Sequence, residues 1–504
     1  MNASQNIYIK QHVVAVDKVN ATISDSFLLY TNNVLSKNPY AGNAYSNLIK
    51  KESNHVSFGK HTWLLSKYFI KSLVYLSLWV CKKIVFSFVR GGRVVDSDYL
   101  HIIDIFILSK NSVQSNKFND RYLYDLIPEM DRHSVNYAYL PCFYKDGFNP
   151  LNWYKNYKIL KKSRFQSITE FELISWVEVI DILVFLIVYP FSLKGLIKHH
   201  KIENHVDDML NYSLKLSIGD HTVPSFIRYL VGKNIAKKYY NSKLLSYSEF
   251  QVTDRAIYKG IRDFSKDIRI YAYQQFIKSP VMMNTYISEN ESDSLVPDKI
   301  IVTGSYYVPS TTKYNYDTLS VRFNKVFNTT LHKKRENTLV LLPHYLDKAR
   351  HVLRLVSRSN AINGHIITKP HPTLIGSIDK ELINPNWCTD VGDVHSLFKD
   401  AKIVITSSSS VAIEAVSMGI SVIEVEMSDV ISLNSLIGLG RGIIWEKVES
   451  VSELDNAYNV LEEKRVNNSK EIMCISQEYL SLFFSKPTLH QVMNSFDYYN
   501  KGGV

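Results

Sequence analysis

Cysteine is scarce in this chain, with Cys81, Cys142, Cys388 and Cys474 the four among 504 residues. They lie far apart, with no CxxC pair and no metal-ligand spacing, which argues against a disulfide framework and suits a reducing, cytoplasmic setting. Glycine (19) and proline (14) are also sparse, and no long Ser, Gly, Pro or Gln tract occurs, so neither low complexity nor extended disorder is expected. The opening Met-Asn-Ala-Ser-Gln-Asn has no basic region leading into an apolar core, so no secretory signal is expected.

An uninterrupted apolar run of about 20 residues, the requirement for a spanning helix, is missing too. Two shorter apolar segments stand out: Trp63 to Val89, broken by Lys67, Lys71, Lys82 and Lys83, and Ile182 to Phe191, which contains Pro190. The first reads as a basic amphipathic helix. It either packs on its own domain or lies in a membrane interface, its lysines among anionic headgroups and Trp63 and Trp79 as anchors. The second is short, and a buried helix is the expectation.

Acidic residues are outnumbered, 48 against 59 Lys and Arg, for a net charge of +11. That balance favours anionic partners such as nucleotides or phospholipid headgroups. Nucleic acid is not expected, because the basic residues are dispersed and no RNA- or DNA-binding module is present.

The length exceeds one ordinary hydrophobic core and implies two domains. From residue 99, short β-branched runs alternate with helical patterns, the mark of βα units around parallel sheets. Strands are expected at Ile102 to Leu108, Val135 to Leu140, Leu214 to Ile218, Lys243 to Tyr247, Ile268 to Tyr273 and Lys299 to Val302. A second series follows at Thr338 to Leu342, His365 to Thr368, Lys402 to Thr406 and Ser421 to Val425. The expected organisation is an extension over 1–98 with the amphipathic helix, a Rossmann-like domain over 99–305, a second over 335–480, and a C-terminal helix in 481–504. Gly304 to Asn337, rich in Tyr, Asn, Thr and Lys, is the candidate crossing between domains.

The most informative passage reads GHIITKPHPTL and then VGDVHSLFKDAKIVITSSSSVAIEAVSMGISVIEVE. Strand His365 to Thr368 runs into Lys369-Pro370-His371-Pro372, whose prolines stiffen a turn at the carboxyl end of a strand, where open α/β sheets bind ligands. Asp393 can cap a helix from Val394 to Asp400. Strand Lys402 to Thr406 leads directly into Ser407, Ser408, Ser409 and Ser410, which enter a helix near Val411, so hydroxyls and free N–H groups can converge on a phosphate. His371 would donate to that phosphate and stabilise charge on a leaving nucleotide, and Glu414, one turn after Ser410, would hold a ribose or orient the serines.

The passage resembles the bacterial surface-polysaccharide glycosyltransferases of GT-B architecture that carry a His-Pro and a downstream Ser-Ser motif, such as capsule Kdo transferases and bacterial sialyltransferases. The resemblance implies an α/β, GT-B-like fold with two Rossmann-like domains facing a central cleft and an N-terminal helical extension. It implies that His371-Pro372 and a pair within Ser407 to Ser410, such as Ser408 and Ser409, contact the CMP part of a CMP-linked sugar, with Lys369 beside them. Expected partners are a nucleotide-sugar donor, a lipid-linked or glycan acceptor and an anionic membrane surface on the inner face of the cytoplasmic membrane. Related features occur in CDP-glycerol phosphotransferases and sugar-nucleotide epimerases, so an epimerase stays an alternative, as does a noncatalytic scaffold of a polysaccharide assembly complex.

Inverting transfer needs a base for the acceptor hydroxyl. Glu249, after strand Lys243 to Tyr247, ranks first, and Asp220, after the expected strand Leu214 to Ile218, ranks second. The acidic-acidic-Gly motif that supplies the base in the sialyltransferases has no clear copy, and Lys145-Asp146-Gly147 matches half of it. Asp96-Ser97-Asp98 resembles the DxD of metal-dependent transferases but precedes the first strand, so it reads as a turn, with no metal or other cofactor expected.

Overall fold

The computed structural model describes residues 56–89 and 100–497, with scattered positions between 14 and 31. Excepted within that span are 109–115, 119, 121, 124–125, 145, 200, 204, 221, 280–281, 283–284, 286, 288–290, 376–383 and 428–433. Asp96-Ser97-Asp98 and Lys145 fall outside the described residues.

Two parallel sheets form. The first holds seven strands in the order β3-β2-β1-β4-β5-β6-β7 and the second six in the order β10-β9-β8-β11-β12-β13. The first sheet comprises β1 His101–Leu108, β2 Tyr137–Tyr144, β3 Gln166–Ser167, β4 Lys243–Tyr247, β5 Arg269–Gln274, β6 Lys299–Val302 and β7 Tyr316–Thr318. The second comprises β8 Asn337–Leu341, β9 Ile366–Lys369, β10 Cys388–Thr389, β11 Ala401–Thr406, β12 Ser421–Val425 and β13 Trp445–Val448. The α/β class expected from the sequence, with two parallel sheets, is therefore what the chain builds. Strand β7 lies inside the Gly304 to Asn337 stretch, so the first sheet continues past residue 305.

Parallel strands covered on both faces need apolar residues on both, and β1 shows it: Ile102 faces one core while Ile103, Ile105 and Ile107 face another. The first of those cores is covered by α1 Phe58–Ser87, α2 Glu178–His199, α3 His205–Ser217, α4 Val223–Lys238 and α5 Val252–Arg262. Helices α4 and α5 approach almost to backbone contact. A Cβ on Gly232 would sit 2.2 Å from the Ile257 carbonyl oxygen, and one on Gly260 2.1 Å from that of Tyr229. Between sheet and helices, the buried Asp104 carboxylate accepts from Arg228 and from the Ser246 hydroxyl at 3.0 Å.

The residues Leu214 to Ile218 are not a strand. They end α3 and the turn after it, because Leu210, Leu214 and Ile218, spaced by four, are all buried and the helical period prevails over the local alternation. Helix α1 matches the expected amphipathic segment, but Trp79 is buried, 2% exposed, and its indole N–H donates to Glu170 at 2.7 Å. It cannot be an interfacial anchor, whereas Trp63 is 62% exposed.

Helix α2 departs from the expected buried helix. Among the described residues it is the one helix long and apolar enough to cross a membrane, by length and composition. One face packs inward, Phe185 stacked on Phe226 at 4.4 Å and Tyr189 against Tyr68 at 5.5 Å. Its other face leaves Ile180, Val184, Ile187 and Phe191 more than half exposed.

In the second domain, helices α6 Leu346–Arg358, α7 Val394–Phe398, α8 Val411–Ser417 and α9 Ser469–Phe483 surround the sheet. The chain then returns to the first domain. Ser485 accepts from the Ser320 amide at 2.9 Å and donates to the Thr303 carbonyl at 2.8 Å. Helix α10 Leu489–Ser495 closes the outer face of the first sheet with Val492 and, just beyond it, Phe496, burials worth roughly 1.5–3 kcal/mol each.

Candidate functional site

Both sheets reverse their strand order once, between β1 and β4 and between β8 and β11. Crevices at the carboxyl ends of strands beside such a reversal are where open α/β sheets take ligands. The register aligns those ends: Leu341 pairs with Lys369 and with Thr406, and Thr406 with Glu424. The loops that follow β8, β9, β11 and β12 therefore leave one edge together.

The serine loop follows β11. Ser407 is buried, and Ser408, Ser409 and Ser410 are half-buried. Ser408 has φ 52°, a left-handed conformation that costs a non-glycine residue of order 1 kcal/mol or more and persists where neighbours hold it. Here its amide donates to Glu424 and its hydroxyl accepts from Lys348 Nζ at 2.8 Å. Burial pushes the Glu424 carboxyl up to about 8, against the pull of the Ser408 amide, so at neutral pH it is mainly protonated. Burial also lowers the Lys348 amine, with Glu424 and Glu426 opposing. The helix that the loop opens is seven residues long, and Ser409 Oγ already takes the Val411 amide at 3.4 Å. Lys348 and the hydroxyls thus matter more to an anion here than the helix end does.

His371 follows β9 and leads into a short turn in which the Leu374 amide donates to its carbonyl at 2.8 Å. Its ring stands 5.7 Å from that of His344, centroid to centroid, and His344 lies against Tyr345 at 3.7 Å. His344 was not expected. Its signal is visible in hindsight, since Pro343-His344 after β8 repeats Pro370-His371 after the adjacent β9. Pro372 is exposed, and Lys369 turns toward the loop after β10, where its ammonium donates to the Gly392 carbonyl. Burial lowers the Lys369 amine, partly offset by Asp390 and Asp393.

Glu414 is 5% exposed on α8, and His395 Nε2 lies 2.9 Å from its Oε2. Burial alone would lower the His395 imidazole, but Glu414 and then Asp393 outweigh it and raise the pKa. Asp393 stands at the start of α7 without a side-chain cap bond and pairs instead with Lys325 at 3.2 Å. Glu414 therefore holds an imidazole, a partner the sequence did not disclose.

Glu249 follows β4 in the first domain. The Asp254 carboxylate accepts from the amides of Glu249 at 2.9 Å and Gln251 at 3.1 Å, which fixes this loop, and Gln251 Nε2 donates to Glu249 Oε2 at 2.7 Å. Burial raises the Glu249 pKa, with Gln251 and Arg322 pulling the other way.

Arg322 lies in the stretch between β7 and β8. It donates to the Gln275 carbonyl at 2.9 Å and to the Tyr247 hydroxyl at 3.2 Å. Burial opposes its charge, while Tyr247, Tyr122, Glu414 and Glu249 sustain it, so carboxylates from both domains act on one guanidinium. Asp220 is elsewhere: it sits exposed in the turn between α3 and α4. Asp146 is engaged by Lys82 at 2.8 Å. Among the described residues no group of His, Cys, Asp and Glu could hold a metal ion.

No protein-family model matches the sequence, and no curated protein does either. Solved structures with a similar course of chain include MurG of Acinetobacter baumannii, at TM-score 0.44 and 8% identity over 79% of this chain and 99% of that one. The wall teichoic acid polymerase TagF follows at TM-score 0.41 and 9% identity, covering 88% and 98%. A UDP-GlcNAc 2-epimerase from Methanocaldococcus jannaschii gives TM-score 0.41 and 11% identity, covering 79% and 99%. These are distant likenesses of shape.

Proposed function

We propose that this chain is a glycosyltransferase that uses a nucleotide sugar, most simply a CMP-linked acidic sugar, to build a bacterial surface carbohydrate such as capsule, O-antigen or lipopolysaccharide. The observation that carries the reading is the serine loop at the carboxyl end of β11, where Lys348 Nζ donates to the Ser408 hydroxyl at 2.8 Å. In this reading the serines and Lys348 receive the donor phosphate, and His371 with His344 stabilises negative charge on the departing nucleotide. Glu249, its basicity raised by burial, takes the proton of the acceptor hydroxyl as that oxygen attacks the anomeric carbon. The displacement inverts the centre and uses no metal.

Membrane association belongs to the same proposal. Helix α1 contains no acidic residue, and with α2 it exposes Trp63, Ile70, Val184 and Ile187, with Lys67, Lys71, Lys194 and Lys198 on the same two helices. Apolar side chains flanked by lysines suit the interface of an anionic bilayer, where a lipid-linked acceptor would be found.

Calorimetric titration with CMP, CDP, UDP and GDP tests the donor site. Preferential binding of CMP, weakened in His371→Ala, is expected; equal weak binding of all four would refute it. Isomerisation of a sugar nucleotide without acceptor would make the chain an epimerase instead.

A further inference from the structure

Beyond the end of β5 lies a pocket of about 370 Å³ that the proposed reaction does not use. That volume falls near the lower end of small-ligand sites, which span roughly 300–1,000 Å³. Its walls include Lys278, Ser279, Thr285, Tyr307, Thr311 and Thr312, an assembly rich in hydroxyls and carrying one cation.

Lys278 has unusual company. Its ammonium donates to Gln274 Oε1 at 2.5 Å and lies 5.4 Å from the Tyr307 ring centroid, and no carboxylate among the described residues pairs with it. Burial by itself pushes its pKa down to about 7. Lys278 is half-buried, and an ammonium withdrawn from water without a counter-charge is costly, because desolvation is not returned by an ion pair.

Other donors nearby share the deficit. Ser279 is 5% exposed and its hydroxyl has no partner among the described residues, and Gln274 Nε2, fully buried, also lacks an acceptor. Buried polar groups are ordinarily satisfied, so an unsatisfied donor in the cavity wall, as Ser279 is, points to an absent acceptor. The acceptor must be negative to match Lys278 and small to fit. The surrounding threonine hydroxyls and the Tyr307 ring suit a polyol more than an aliphatic acid.

We propose that this pocket binds the anionic group of a sugar, its carboxylate or phosphate meeting Lys278 and Ser279 while its hydroxyls meet the threonine-lined wall. The site is distinct from the serine loop, which belongs to the second sheet, and does not depend on the donor reading. It lies close in sequence to the partner of Arg322, which bonds the Gln275 carbonyl three residues before Lys278. A second anion held there would be a recognition element of an acidic acceptor or a glycan product.

Acetylation of Lys278, read by mass spectrometry on the full chain, tests the proposal with glucuronate, glucose 6-phosphate and neutral glucose as probes. Glucuronate or glucose 6-phosphate is expected to slow labelling about tenfold at ten times its Kd, since the free fraction falls by that factor, and glucose to leave it unchanged. Ser279→Ala should weaken the protection while other lysines label as before, which shows that the variant is folded. Failure of both anionic sugars to protect, or equal protection by glucose, would overturn the proposal. The same protection in His371→Ala would separate this pocket from the donor loop.

Discussion

The amide of Ser408 donates to the carboxyl of Glu424 on the adjacent strand, so a left-handed loop residue is pinned from beneath by an acid that keeps its proton at neutral pH. Burial sets that pKa at about 8, with the Ser408 amide and Lys348 lowering it and Glu426 raising it. Above this value the carboxyl ionises and places negative charge under the serines. Nucleotide affinity, followed by calorimetry between pH 6.5 and 9 (roughly the range over which such a group titrates), should fall as pH rises through about 8. Glu424→Gln keeps an acceptor for the amide and should remove that fall.

Replacement of the proposed base gives the sharpest contrast in rate. Glu249→Gln should cost about 10²–10⁴-fold in kcat, the usual range for a lost general base, with little change in nucleotide affinity. Asp220→Asn, on an exposed turn, should stay near wild type. A folded Glu249→Gln protein with full transfer activity would remove Glu249 from the mechanism.

Gly304 is where the returning chain presses closest. A Cβ there would lie 2.3 Å from the Phe483 carbonyl carbon and 2.4 Å from the Leu482 oxygen, both backbone atoms with little freedom to yield. Gly304→Ala should lower stability by about 1–3 kcal/mol, the scale of overpacking, as measured by urea unfolding. Gly364→Ala, whose added Cβ would meet open space but whose φ is 83°, should show only the smaller penalty of a strained backbone.

On the membrane side, flotation with vesicles containing anionic lipid should recover the wild-type chain. Val184→Glu with Ile187→Glu should abolish recovery, since the exposed face of α2 would then be charged and repelled. Trp79→Phe would act through loss of the Glu170 bond, so its effect should appear in stability and leave flotation intact.

Long, strongly apolar strands were legible in the sequence: Lys243–Tyr247, Lys299–Val302 and Ser421–Val425 fall at the residues expected. Leu214 to Ile218 misled because Leu-Lys-Leu-Ser-Ile alternates locally, and the four-residue spacing that makes it helical shows only when Leu210 is included. The two-residue edge strands Gln166–Ser167 and Cys388–Thr389 are too short to carry any period. Of the site, residues that follow strands in sequence could be found, because chain order alone places them at an edge. Lys348, His395, Glu424 and Arg322 could not, since each reaches its partner through tertiary packing that local patterns do not encode.

The return of the chain to its first domain has a mechanical consequence. The domains are joined twice, once through the segment after Thr318 and once through Ser485, and the two connections are tied to each other where Ser320 and Ser485 exchange bonds. A pair of plates fastened at two neighbouring points can swing about the line through them but resists twisting across it. Any relative motion of the two sheets should therefore follow a single arc, which would keep the edge that carries the serines in one alignment with the edge that carries Glu249.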